Sequence, residues 1–219
     1  MLTPDELLSR GTPRGFPVSY KGYLMRIRIF IDFWNFSLEM KEFDPAYRVD
    51  YDKLATFLTQ NASHPIGAGQ YEGAIVYASI NPIKAVDKPL SDFLRNVLDR
   101  KVGYQVKIFE RRPAKPVRCP DCGKEILVCP HCATILKRTV EKGVDSAIAT
   151  DMLQQAWDNT YDSAVLMTSD RDFIPMVQFL QTRGKKIIHA SFTMGGRELA
   201  NSCWKQIDLS QHAGVLSHA

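Results

Sequence analysis

The chain has 219 residues, a net charge of +4 and an apolar content of 45%, which together predict one large globular domain or a domain with a small module. No apolar run approaches the ~18 residues that a membrane span needs, and residues 1–6 lack the basic region and apolar core of a signal peptide. These features argue against a membrane or secreted protein, and we expect a cytoplasmic location.

Strands and helices are predicted to alternate along most of the chain. Residues 1–25 are rich in proline and glycine and predict an extended arm, and residues 209–219 predict a loose tail. Between them, over residues 26–208, apolar runs predict strands and apolar residues at helical spacing predict helices. The predicted strands are 26–31, 71–80, 104–110, 163–167 and 185–190, and the predicted helices are 51–58, 89–101, 144–157 and 173–180. This alternation is typical of an α/β fold whose mostly parallel sheet is covered on both faces.

Acidic residues recur where such a sheet would place a site. Asp32 ends the first strand, Asp145 begins a helix, and Asp170 and Asp172 follow the fourth strand. Ligands of open α/β sheets bind at the carboxyl ends of strands. If the first and fourth strands are neighbours, the four carboxylates converge, and Mg²⁺ or Mn²⁺ would relieve their repulsion because these ions prefer oxygen ligands. The alternative for Asp170 and Asp172 is a helix cap and a first-turn acid.

Four other polar residues are candidates at the same edge. Asn35 follows Asp32 by about one helical turn, where it could orient a water molecule or a phosphate oxygen. Thr168 and Ser169 either bind the same groups or cap the following helix, and capping is at least as well supported. Asp151 lies six residues after Asp145, about 600° around a helix, so the two residues do not share a face. Asp151 is therefore a weaker candidate, in a supporting position beside the site.

Taken together, these motifs resemble the NYN domain, the LabA-like branch of the PIN-like nucleases. The resemblance covers roughly residues 26–208 and rests on Phe30-Ile31-Asp32-x-x-Asn35, Lys142-Gly143-Val144-Asp145 with Asp151, and Thr168-Ser169-Asp170-x-Asp172-Phe173-x-Pro175 followed by Gly184-Lys185. It implies a Rossmann-like α/β/α sandwich, a divalent-metal pocket and cleavage of RNA. The motif positions that it makes catalytic are Asp32, Asn35, Asp145, Asp170 and Asp172. The chain departs from the simplest pattern at bulky Phe33-Trp34 and in an insertion before Asp145.

That insertion, expected over residues 113–138, contains four of the five cysteines. Cys119-Pro120-Asp121-Cys122 is followed by Cys129-Pro130-His131-Cys132. Two such knuckles on a short hairpin are typical of a tetrahedral zinc ion held by four thiolates. We expect this zinc ribbon to be structural, because a closed four-thiolate site has no open position for water. A redox pair is a distant alternative.

The positive charge of the chain is concentrated around these cysteines. Residues 111–142 contain eight Lys and Arg against three Asp and Glu, a net of +5, which leaves 4 − 5 = −1 for the remainder. A local basic segment of this kind is suited to contact with a polyanion. The candidate nucleic-acid contacts are Arg111, Arg112, Lys115, Arg118, Lys137, Arg138, Lys142 and Arg171.

The sequence as a whole predicts a divalent-metal-dependent endoribonuclease, with RNA as substrate and DNA as an alternative substrate. Two other functions remain open: a non-catalytic RNA-binding regulatory module, and a phosphatase or nucleotidase acting on small phosphates. The intact set of acids favours catalysis over binding alone, and the basic segment favours a polymer over a small phosphate. The zinc ribbon could instead dock a protein partner or a second copy of the chain.

Overall fold

The structure, a computed structural model, describes residues 24–65, 67–81, 87–136, 139–192 and 196–218. The strands are β1 (Leu24–Asp32), β2 (Ala68–Ile80), β3 (Tyr104–Glu110), β4 (Arg112–Pro113), β5 (Val117–Arg118), β6 (Glu125–Ile126), β7 (Thr139–Val140), β8 (Ser163–Met167), β9 (Lys186–Ser191) and β10 (Lys205–Asp208). The helices are α1 (Phe33–Phe43), α2 (Tyr51–Ser63), α3 (Lys88–Phe93), α4 (Val144–Trp157), α5 (Ile174–Thr182), α6 (Arg197–Ser202) and α7 (Ala213–Leu216). Within these ranges, no helix is long and apolar enough to cross a bilayer.

Six of the strands form one parallel sheet in the order β10-β9-β8-β1-β2-β3. The chain first builds outward from β1 through β2 to β3, and then returns to the other side of β1 to place β8, β9 and β10. The strand order therefore reverses between β1 and β8. At such a switch point the loops leaving the two strands diverge, and they open a crevice at the carboxyl edge of the sheet.

The sheet is buried on both faces. Alternate residues of β1 point to opposite sides, so Ile29 and Ile31 pack with α1 and α2 while Phe30 packs with α4 and α5. The central strand β8 is buried at every position, which is the pattern of a parallel strand covered on two sides. The three-layer α/β/α sandwich expected from the sequence is confirmed.

Two helical regions differ from the sequence prediction. The run Phe33–Phe43 forms α1, which directly continues β1, and no helix was predicted there. The predicted helix over 89–101 is instead α3 followed by a π-helical turn, Leu94–Leu98. That turn keeps Leu94 and Leu98 fully buried, so the apolar pattern was recognised while the backbone geometry was not.

The C-terminal residues do not form the loose tail that we expected. Residues 210–212 form a 3₁₀ turn, and α7 follows it directly. Leu216 is fully buried against the core beside α2, its carbonyl accepts the amide of Asp50 (2.8 Å), and the amide of His218 bonds the carbonyl of Arg48 (2.8 Å). One buried leucine in a four-residue helix is too short a pattern to be read from periodicity.

The cysteine-containing insertion leaves the sheet after β3 and returns just before α4. Its two ends pair with each other, because β4 and β7 are antiparallel neighbours. Beyond this base, β5 and β6 form a small hairpin, and a further bridge joins Val128 to Ile135. Since β3 ends and α4 begins at the carboxyl edge of the sheet, the insertion is anchored at the same edge as the switch-point crevice. The predicted arm, residues 1–25, lies outside the described residues except for Leu24 and Met25 in β1.

Candidate functional site

Asp32 lies in the floor of the switch-point crevice. It is the last residue of β1, and only 3% of its surface is exposed. Its carboxylate caps α1: the backbone amide of Asn35 donates to Oδ1 (3.2 Å) and the side-chain amide of Asn35 donates to Oδ2 (2.9 Å). Burial raises the pKa of Asp32, the hydrogen bonds from Asn35 oppose this shift, and the charge of Glu141 adds to it. A carboxylate buried in this way is retained only where its surroundings compensate the lost hydration.

The loop that follows β8 is tied to Asp32 and Asn35. The hydroxyl of Thr168 donates to Asp32 Oδ2 (3.3 Å), and the hydroxyl of Ser169 donates to the side-chain oxygen of Asn35 (2.6 Å). Asp170 caps the 3₁₀ turn Arg171–Phe173 that precedes α5, since its Oδ1 accepts the amide of Asp172 (2.9 Å). This cap uses Oδ1 and does not exclude a ligand on Oδ2. Thr168 and Ser169 thus cross-link the two strands at the switch point.

The third wall of the crevice is the N-terminus of α4, where Asp145 lies in the first turn. Gly143, the residue before the first residue of α4, has φ +91°, a left-handed conformation that lets the chain turn sharply into the helix. Burial raises the pKa of Asp145, and the charges of Asp32, Asp170, Glu141 and Asp172 add to the shift, in that order. The structure therefore places Asp32, Asp170 and Asp172 within electrostatic range of Asp145.

Two carboxylates in this region were not predicted from the sequence. Glu39 lies one turn of α1 beyond Asn35 and is buried; its Oε2 accepts the amide of Phe192 (3.2 Å), and its Oε1 has no hydrogen-bond partner within the described residues. Burial raises the pKa of Glu39 from 4.5 to about 6, hydrogen bonds from Ser169 and Phe192 oppose this shift, and the charges of Glu42 and Asp32 add to it. Glu141 lies before α4, and its charge raises the pKa of both Asp32 and Asp145. The i, i+4 spacing from Asn35 was a signal for Glu39, because such residues share one helix face.

Glu141 is held by residues from three segments. The hydroxyl of Ser79, at the end of β2, donates to it, and the Arg111 guanidinium forms an ion pair with it (3.5 Å). Arg111 also donates to Ser79 (2.9 Å) and lies over the ring of Trp34, 5.2 Å from its centroid. The indole of Trp34 in turn donates to the carbonyl of Ser79 (2.7 Å). The bulky residue that departs from the family pattern therefore holds one wall of the crevice.

His189 supports the loop from below. It is fully buried in β9, and its Nε2 lies 2.8 Å from the carbonyl oxygen of Thr168. That contact requires a proton on Nε2, which leaves Nδ1 as an acceptor that has no partner within the described residues. Burial lowers the pKa of His189, so the imidazole is neutral and fixes the position of Thr168.

The donor set suits a hydrated divalent cation better than a fully protein-bound one. Carboxylate oxygens are the ligands that Mg²⁺ and Mn²⁺ prefer. Among the residues described here, however, no three acidic, histidine or cysteine side chains are close enough to hold one metal ion together. Mg²⁺ usually keeps several waters and binds one or two carboxylates directly. That mode of binding needs only one or two of these carboxylates in direct contact with the ion.

Asp151 has partners away from this cluster. Its Oδ2 accepts hydrogen bonds from the hydroxyl of Tyr77 (2.5 Å) and the ammonium of Lys107 (2.6 Å). These contacts join the middle of α4 to β2 and β3. The position of Asp151 is that of a residue holding α4 against the sheet.

The basic candidates occupy different surroundings. Arg111 is engaged with Glu141, and Arg118 pairs with Glu125 inside the insertion (2.7 Å). Arg112, Lys115 and Lys142 are exposed along the base of the insertion and before α4. Arg171 is exposed beside Asp170, 3.9 Å from Glu198. Lys137 and Arg138 lie outside the described residues.

The cysteines are brought together in pairs. Each knuckle folds as a tight turn: the amide of Cys119 donates to the carbonyl of Lys124, and that of Cys129 to Thr134, both at 2.9 Å. Hydrogen bonding to Cys122 and Asp121 lowers the pKa of Cys119, and the hydroxyl and amide of Thr134 lower that of Cys132. In the described part of the insertion the four thiols are not gathered into one metal-binding group. The expected four-cysteine site is therefore not confirmed.

Comparison with known proteins identifies the family and the fold. The sequence model of the NYN domain family matches residues 26–210. No curated protein matches the chain. Among solved structures, a protein of unknown function from Vibrio parahaemolyticus RIMD 2210633 is similar with a TM-score of 0.56 and 18% identity, over 89% of this chain and 96% of the other. At this identity the structural match supports the fold alone.

The buried carboxyl of Glu39 gives the site a measurable dependence of stability on pH. The pKa of Glu39 is about 6 in the folded protein and 4.5 in the unfolded chain. The contribution of its protonated carboxyl group to the free energy of unfolding is therefore full below pH 4.5 and is lost as the pH rises through 6. Glu39→Gln should therefore raise the free energy of unfolding by about 2 kcal/mol at pH 8 and leave it nearly unchanged at pH 4.5. Urea denaturation at both pH values measures this difference.

Glu110→Gln is the control, since Glu110 is an exposed residue at the end of β3 and is not among the groups that shift the pKa of Glu39. An increase in the free energy of unfolding of Glu39→Gln that is equal at the two pH values would contradict the assignment of a raised pKa to Glu39.

Proposed function

The chain belongs to the NYN domain family, which has the PIN-like nuclease fold, and we propose that it is a divalent-metal-dependent ribonuclease. The observation that carries this proposal is the approach of Asp32 and Asp170 to Asp145 at the switch point, where burial, and then the charges of these two residues, raise the pKa of Asp145. Charges that repel one another in the free protein are stabilised by a cation. Perturbed carboxyl groups in a crevice are typical of catalytic sites.

Each residue has a distinct part in the proposed site. Asp32, Asp145 and Asp170, with Asp172 beside them, would hold Mg²⁺ or Mn²⁺, which supplies Lewis-acid stabilisation of a phosphate and lowers the pKa of a bound water. Asn35 fixes the orientation of the Asp32 carboxylate through the contact at 2.9 Å. Thr168 and Ser169 hold the Asp170 loop against β1. These side chains are therefore positioned before any substrate arrives, which lowers the cost of organising the reaction.

The basic surface favours a polynucleotide over a small phosphate. Arg112, Lys115 and Lys142 are exposed along the base of the insertion and before α4, from where they would contact phosphates on either side of the cleaved bond. Such contacts add affinity only for a substrate that extends beyond the site. We propose RNA as that substrate, in line with the resemblance of the motifs to the LabA-like branch, with DNA as the alternative.

A second candidate is a nucleic-acid-binding module that does not cleave. The spacing of the carboxylates favours it, because no three of the described acidic side chains are close enough to bind one ion directly. The two candidates differ in a single measurement, the appearance of cleavage products with labelled RNA when Mg²⁺ or Mn²⁺ is added.

We expect Asp170→Asn to reduce metal-dependent cleavage of labelled RNA by about a hundredfold or more, since losing one carboxylate removes several kcal/mol of transition-state stabilisation. The fold should remain intact, because Asn keeps the cap of the 3₁₀ turn. Cleavage rates and circular dichroism are measured on both proteins. Asp92→Asn, an exposed change on α3, serves as control, and wild-type cleavage by the Asp170 variant would remove Asp170 from the site.

We expect RNA binding to weaken steeply with salt, and Arg112→Glu combined with Lys115→Glu to flatten this dependence. Each single-strand phosphate contact contributes about 0.7 to the slope of log affinity against log salt, so two lost contacts reduce it by about 1.4. Binding is measured by fluorescence anisotropy from 50 to 300 mM salt. Arg95→Glu with Arg100→Glu makes the same change of charge at two exposed residues of the connection between β2 and β3, outside the insertion, and should leave the slope unchanged. Equal slopes for both double variants would place the RNA path elsewhere.

We also propose that the two cysteine pairs close around one zinc ion, because a hairpin as short as this insertion has little core of its own. Purified protein should contain about one zinc per chain by elemental analysis, and Cys119→Ser should lose it while the main sheet stays folded. Cys203→Ser, which alters a cysteine outside the knuckles, should retain the metal. Wild-type protein purified without zinc, with an unchanged thermal transition on adding it, would contradict the proposal.

A further inference from the structure

A second feature of the molecule is a groove at the far end of α4, away from the acids. It has a volume of about 180 Å³ and is lined by Leu153, Ala156, Trp157, Phe179, Leu180, Arg183 and Lys185. Trp157 is 84% exposed and Phe179 is 47% exposed. Single exposed hydrophobic residues are common on protein surfaces, but a contiguous apolar patch rimmed by polar residues marks an interaction site.

The groove combines aromatic faces with positive charge. The Arg183 guanidinium lies over the ring of Phe179, 5.1 Å from its centroid. The Lys185 ammonium is fixed at the floor by Asn159 (2.8 Å) and the carbonyl of Tyr161 (2.6 Å). The lining residues include two cations and no acid; the exposed acid next in the chain, Asp158, follows the last residue of α4. This composition is that of a stacking platform for bases with a cationic rim for phosphates.

An uncharged strip joins this groove to the acidic crevice. Asp145 begins α4 and Trp157 ends it, which separates the two sites by ~18 Å along the helix. Between them the exposed positions of α4 are Ser146, Thr150, Leu153 and Gln154, all uncharged, and the first three share one face with Trp157. The neighbouring helix α5 contributes Pro175 and Gln178, also exposed and uncharged. A strand that leaves the acids along this face therefore meets no repelling carboxylate before it reaches the aromatic groove.

We propose that the groove between the ends of α4 and α5 is a second contact for single-stranded nucleic acid, with a base stacked on Trp157 and a phosphate beside Arg183. The inference rests on the proposed function, since it extends the path of the same substrate. With 3.4 Å per stacked nucleotide, about five nucleotides span the distance between the two sites. The groove thus selects substrates with at least that length of unpaired strand on one side of the scissile phosphate.

The test is binding of a 12-nucleotide oligouridylate in EDTA, which prevents metal-dependent cleavage. Trp157→Ala should lower affinity about fivefold or more, the range expected for one stacked base, and Arg183→Glu should lower it similarly. Trp204→Phe and Arg100→Glu, exposed changes outside the groove, should bind as wild type does. In the wild-type protein the oligonucleotide should quench tryptophan fluorescence, and Trp157→Phe should lose that part of the signal while it retains most of the affinity. Circular dichroism should be unaltered, since Trp157 is exposed.

The outcomes separate this inference from the proposed function. If the wild-type protein cleaves RNA and both groove variants bind the 12-mer unchanged, the groove is not part of the path and the function stands. If binding depends on Trp157 but no cleavage occurs with Mg²⁺ or Mn²⁺, the groove stands and the nuclease assignment fails. No binding by the wild-type protein overturns the groove. A lower native mass for Trp157→Ala with unchanged RNA affinity would identify the groove as a contact between two copies of the chain, and would likewise overturn it.

Discussion

A buried negative charge at the junction of two parallel strands is the constraint on which the rest of this structure depends. Asp32 is 3% exposed, and an uncompensated carboxylate there would cost several kcal/mol. The compensation comes from Asn35, which donates twice, and from Thr168 on the neighbouring strand. Because these groups belong to α1 and to the loop after β8, the burial of one charge fixes the relative positions of both. The switch point is thus rigid for an electrostatic reason.

The same arrangement explains why acids accumulate in a place where they repel one another. Burial raises the pKa of Asp32 and Asp145, and Glu39 is raised to about 6. The ionised form of each of these carboxyl groups is less stable in the folded protein than in water. Other parts of the fold must therefore offset this loss of stability. The apolar faces around Ile29 and Phe30 provide that stability, as both are fully buried. Stability given up at a site in this way is typical of positions retained for function.

The parts of the structure that could be predicted from the sequence are those marked by apolar runs, by helical spacing or by the alternation of strands and helices. The strand ends at Asp32 and Met167 followed from apolar runs, and the α/β sandwich followed from their alternation. Glu141 could not be found in this way, because its contacts with Ser79 and Arg111 join positions 62 and 30 residues away. The π-helical turn at Leu94 and the docked helix containing Leu216 depend on tertiary packing that overrides local pattern. Glu39 was within reach, since its spacing from Asn35 is helical, but only after α1 itself had been recognised.

The insertion is coupled to the acidic crevice at its base. Arg111 immediately precedes β4 and Glu141 immediately follows β7, so their ion pair (3.5 Å) closes the insertion directly above Ser79. The charge of Glu141 also raises the pKa of Asp32 and of Asp145. A displacement of the insertion must therefore move either the carboxylate of Glu141 or the guanidinium that neutralises it. Both movements change the electrostatic potential at the first turn of α4, which makes the base of the insertion part of the site rather than an appendage beside it.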